Sequence, residues 1–115
     1  MKHIYTITLV TLLCLPNKGF CQTKKSEKFY LQGVQALKDK EYKNADSLFS
    51  LSLKEFPQTD TYFNRAIARV NMKDSAGFCF DLFEAGKLGD GEADRVYHKK
   101  CIRFDTVYYD SSNVV

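Results

Sequence analysis

The chain has 115 residues, with 17 Lys and Arg against 14 Asp and Glu, for a formal charge of +3. An apolar fraction of 44%, with nine Phe and seven Tyr, fits one small globular domain and is too high for a disordered tail. With only two prolines and near-balanced charge, a Pro-rich linker, a collagen, a basic nucleic-acid arm and a polytopic membrane protein are all excluded.

The first segment reads as an address. Lys2 and His3 precede Ile4 to Leu15, which carries no charged residue, Pro16 breaks the run, and Gly19-Phe20-Cys21 offers small residues for cleavage before Gln22. This is the layout of a secretory signal peptide over residues 1–21, and the run is too short to span a bilayer. A lipoprotein reading is the alternative, although Phe20 stands before Cys21 where a small residue is normal. Cleavage removes Lys2 and Lys18 but no acid, leaving 15 cations against 14 anions, or +1. The remaining chain has no electrostatic reason to bind nucleic acid or an anionic membrane, and no membrane span is expected after cleavage.

From Ser26 onward the apolar residues recur at helical spacing. Phe29, Tyr30, Gly33, Val34 and Leu37 share one side of a first helix, and Lys38-Asp39-Lys40-Glu41 breaks it. Tyr42, Ala45, Leu48, Phe49 and Ser52 mark a second helix, ended by Pro57. Thr59-Asp60 suits the N-cap of a third, with Tyr62, Phe63, Ala66, Ile67 and Val70 on its face. After Lys73-Asp74-Ser75 a fourth presents Phe78, Cys79, Leu82, Phe83 and Ala85, and Leu88-Gly89-Asp90-Gly91 stops it. A closing helix over 91–104 carries Ala93, Val96, Tyr97, Cys101 and Phe104, and residues 105–115 form an extended, β-prone tail. The fold class predicted is all-α: about five helices in antiparallel hairpins, stacked as a short solenoid over residues 22–104.

An internal repeat supports this. A shift of 33 residues lays Phe29-Tyr30-Leu31-Gln32-Gly33-Val34 over Tyr62-Phe63-Asn64-Arg65-Ala66-Ile67. For the second helices a shift of 34 matches Ala45 to Cys79, Leu48 to Leu82 and Phe49 to Phe83, as one extra turn residue would explain. Gly33 and Ala66 are placed where the helices of a hairpin cross, with Ala45 or Cys79 as the small partner opposite. A helix pair with a period near 34 resembles the tetratricopeptide repeat (TPR), whose hairpins bury their apolar faces by stacking. The resemblance rests on Gly33, Tyr42, Ala45, Phe49 and Pro57 in residues 26–59, and on Asn64-Arg65-Ala66 in 60–90. Leu88-Gly89-Asp90-Gly91-Glu92-Ala93 is also similar to the junction of Sel1-like repeats.

Cys79 and Cys101 lie 11 residues either side of Asp90. If the glycines flanking Asp90 tip an antiparallel hairpin, the two cysteines face each other and form a disulfide, as suits an exported domain, with two buried free thiols as the alternative. His98, three residues before Cys101, leaves a thiol enzyme as a remote alternative. Phosphate-loop, Cys-x-x-Cys, His-Glu-x-x-His and Gly-x-Ser-x-Gly patterns are absent from the sequence, and Asp81 and Glu84 read as a solvated face. No enzyme activity, cofactor or metal is expected.

The resemblance to tetratricopeptide repeats implies a concave surface lined by the first helix of each pair. Its lining positions here are Glu27, Tyr30, Val34, Leu37 and Lys38, then Thr61, Phe63, Ile67 and Val70. Only Asn64 matches the family's carboxylate-clamping pattern, so an apolar or mixed groove for a protein or peptide partner is expected. The signal peptide with two repeats also resembles the N-terminal regions of some Bacteroidetes envelope proteins that continue into a TonB-like energy-transducer domain. The sequence thus implies an exported interaction module of the periplasm or cell envelope, or the front part of such a longer protein.

Overall fold

A computed structural model describes residues 18–102. All of its regular structure is helical: α1 (Lys18–Lys38), α2 (Tyr42–Glu55), α3 (Thr59–Asn71), α4 (Ser75–Lys87) and α5 (Gly91–Lys100). Each helix packs on the next in the chain, in a compact repeat-like arrangement of adjacent pairs. The first helix begins at Lys18 rather than near Ser26, and the last ends at Lys100 with Cys101 as its C-cap. Residues 1–17 and 103–115 lie outside the described residues, and with them Phe104 at the end of the expected closing helix and the expected tail at 105–115.

The turns follow from local chemistry. Asp74 caps α4 by accepting a bond from the Gly77 amide at 2.9 Å, and Asp90 caps α5 by accepting from Glu92 and Ala93, each at 3.0 Å. The start of α3 differs from expectation: Thr59 is already helical, and Gln58 stands at the N-cap without a side-chain bond. Pro57 holds the preceding Phe56 extended (φ −156°, ψ 120°), so the chain turns one residue earlier than the Thr-Asp pair suggested. The turns after α1 and α3 each place a lysine in the left-handed region, Lys40 (φ 60°) and Lys73 (φ 62°). The following amides then bond back, Glu41 to the Ala36 carbonyl and Asp74 to the Arg69 carbonyl, both at 2.9 Å. Gly89 (φ 103°) makes the same kind of turn without a side-chain penalty.

Those two lysines are 33 residues apart, and so are the starts of α2 and α4. The period is therefore 33 through both helices of the pair, and the expected shift of 34 for the second helix does not hold. Burial agrees: Phe49 is matched by Leu82, at 0% and 1% exposure, and not by Phe83, which is 45% exposed. The hairpin crossings differ accordingly. A Cβ on Gly33 would sit 2.6 Å from the Phe49 ring, so the small residue faces a large one, not Ala45. In the second pair Ala66 and the smaller Leu82 share a buried cluster. Gly33→Ala is therefore expected to destabilise the fold by about 1–2 kcal/mol, the overpacking outweighing the gain in helix propensity. Adding Phe49→Leu should recover part of that loss, as chemical denaturation of both variants would show; a more stable Gly33→Ala would mean the ring has room to move.

Candidate functional site

Successive helix pairs meet at two junctions, α2 with α3 and α4 with α5. At the first, Arg65 and Arg69 of α3 reach across to neighbouring helices. Arg65 Nε donates to both oxygens of Asp81, at 3.2 and 3.0 Å, and its Nη2 donates to Oδ1 at 2.6 Å. Its Nη1 donates to Ser50 Oγ at 2.9 Å. Arg69 Nη1 lies 3.1 Å from the other Asp81 oxygen, and its Nε donates to Asp46 at 2.8 Å. Asp81 has no exposed surface, so its expected place on a solvated face is wrong. Burial raises the Asp81 pKa above its ordinary value, against the opposing pull of the Arg65 hydrogen bonds and of both guanidinium charges. Glu84 is only half-buried and pairs with Lys87 at 3.2 Å.

At the second junction the equivalent positions carry different chemistry. The repeat offset is 33 from α2 to α4 and 32 from α3 to α5. Asp46 and Arg69 therefore correspond to Cys79 and Cys101, which are joined as a disulfide with α-carbons 5.8 Å apart. Ser50 and Arg65 correspond to Phe83 and Tyr97, whose rings stand 5.4 Å apart. One junction is fastened by ions and the next by a covalent bond and an aromatic pair. Because its sulfur is bonded to Cys79, Cys101 offers no thiolate to His98. His98 itself is exposed beside Asp94, 2.8 Å from its carbonyl and 3.4 Å from its carboxylate. No group of three or more His, Cys, Asp or Glu among the described residues could hold a metal, and none of the described helices is long and apolar enough to cross a membrane.

The residues expected to line a groove fall on a different surface of the first helices. Tyr30, Val34 and Leu37 of α1 are half-buried, resting on the cluster of Ala36, Ala45, Phe49 and Ala68. Phe63 and Ile67 of α3 are also half-buried, and Val70 is exposed. The two helices are joined on this side by Asn64, whose side-chain amide donates to the Tyr30 hydroxyl at 3.1 Å. Glu27 and Lys38 are exposed at either end of the α1 row.

Thr61 does not belong with them. It is fully buried, on the stripe of α3 shared with Arg65 and Ala68, and its hydroxyl has no hydrogen-bond partner among the described residues. With the offset of 33 from α1 to α3, the counterpart of Glu27 is the exposed Asp60. The offset of 32 from α3 to α5 carries the row onto α5, where Glu92, Arg95 and Lys99 stand at the positions of Asp60, Phe63 and Ile67; all three are exposed. Sequence matching missed these four residues because it aligned similar side chains; the spacing of the turns was the signal that finds them. Compared with protein-family models, with curated proteins and with solved structures, the chain has no significant match in any of the three.

Proposed function

We propose that the chain is an exported, non-catalytic interaction module of the tetratricopeptide type, which binds an extended peptide or protein segment across α1 and α3. The observation that carries this reading is the pair of matching rows, Tyr30-Val34-Leu37 and Phe63-Ile67-Val70. They repeat at an offset of 33 and leave apolar area uncovered beside a hairpin core that is already filled. The Cys79–Cys101 disulfide supports export, because such bonds persist in oxidising compartments.

Tyr30→Ala and Phe63→Ala test it. Each removes a large anchor from the row, and each is expected to weaken capture of a cell-envelope partner by roughly tenfold, a loss typical of central aromatic contacts. Far-UV circular dichroism of both variants should retain the helical signal. Binding that ignores both substitutions would place the interaction elsewhere on the molecule.

A further inference from the structure

The rows on α1 and α3 are apolar, but their continuation on α5 is not. Arg95 replaces the aromatic of Tyr30 and Phe63, and Lys99 replaces the aliphatic of Val34 and Ile67. Both cations are exposed, one helical turn apart, and neither forms an ion pair with another described residue. The acids Glu27, Asp60 and Glu92 form a separate row, one turn nearer the helix starts. A segment lying across the three helices therefore meets an apolar floor first and two positive charges at its α5 end. An apolar side chain placed over Arg95 and Lys99 would strip water from them without return, whereas a carboxylate would replace that water with a charged partner.

We propose that the partner segment is apolar where it crosses α1 and α3 and carries acidic side chains where it reaches α5, held there by Arg95 and Lys99. This rests on the groove reading above and adds the partner's chemistry and its direction across the helices. Because the two cations are solvated, their attraction is modest and weakened by salt, and it contributes more to orientation than to total affinity.

Three fluorescent peptides of one apolar sequence, all amidated at the C-terminus, test this by anisotropy against the full chain. They end in Asp-Glu, Gln-Gln or Lys-Lys, so only side-chain charge differs. The Asp-Glu peptide should bind about tenfold more tightly than the Gln-Gln peptide at low salt, and that advantage should shrink at high salt. In the double variant Arg95→Glu/Lys99→Glu the preference should reverse towards Lys-Lys. Equal binding of all three would overturn the charge assignment while leaving the groove reading intact, and so would an acidic preference that survives the double variant. Failure of every peptide would overturn both. If the Asp-Glu peptide bound only to a chain ending at Ile102, the site's occupant would be the chain's own following segment, and assignment to a partner would be wrong.

Discussion

Replacing Asp81 by alanine is expected to destabilise the fold by about 3–5 kcal/mol, the cost of removing one member of a buried ion pair. Arg65 is only 8% exposed, and a guanidinium cannot shed its charge, so the substitution strands a cation whose remaining side-chain hydrogen-bond partner is Ser50. Arg69 is less affected, because it keeps its contact with Asp46. The effect is large for a helical domain of this size, whose total stability is of the same order. Replacing both partners, as Arg65→Met/Asp81→Leu, should cost far less than the sum of the single changes, since no charge is then left without a partner. Urea denaturation of the single and double variants measures this coupling. Additive effects below about 1 kcal/mol each would show that water reaches the network and that it behaves as a surface pair.

Opening the Cys79–Cys101 disulfide is the second large effect. The bridge closes a loop with a sequence separation of 22, and constraining such a loop in the unfolded chain is worth about 3 kcal/mol. Reduction, or the variant Cys79→Ser/Cys101→Ser, should lower Tm by about 10–25 °C for a domain of this length. The loss should begin at α5. That helix packs chiefly on α4, and its Ala93 is buried in the cluster that includes Ala66, Leu82 and Cys101. Hydrogen exchange on the reduced protein should therefore show α5 amides losing protection before those of α2 and α3. Uniform loss would mean that the disulfide stabilises the whole array as one cooperative unit.

The two predictions concern equivalent places in the repeat. Asp46–Arg69 and Cys79–Cys101 occupy the same pair of positions, one junction apart. The difference fits what lies around each. The α2–α3 junction has helices on both sides, and Arg65 and Arg69 reach Asp81 on α4 beyond it. The α4–α5 junction is fastened by the Cys79–Cys101 disulfide, and a covalent link needs no counter-ion.

Much of this was legible in the sequence because it depends on neighbours in the chain. The helical spacing, the turns at Lys40, Lys73 and Gly89 and the caps at Asp74 and Asp90 are local. The cysteine pairing was readable too, since Cys79 and Cys101 lie symmetrically about a turn whose residues mark it plainly. The repeat in the first helices was also visible, because Tyr30 with Phe63 and Val34 with Ile67 keep similar side chains at a fixed offset.

The tertiary structure alone decided the rest, for physical reasons that can be named. Similarity of side chains suggested Phe49 over Phe83, but the hairpin turn sets the register, and it puts Leu82 in the core and Phe83 beside Tyr97. The same register moves Thr61 into the interior and brings Asp60 to the groove side in its place. Asp81 looked solvated because a local pattern treats a charge as outward-facing. Its burial depends on two arginines that precede it by 16 and 12 positions and reach it only after α3 and α4 have packed. Helix and turn are set by contacts within a few residues, so the sequence carries them openly; a buried charge depends on which distant group arrives beside it, and only the folded chain brings that group there.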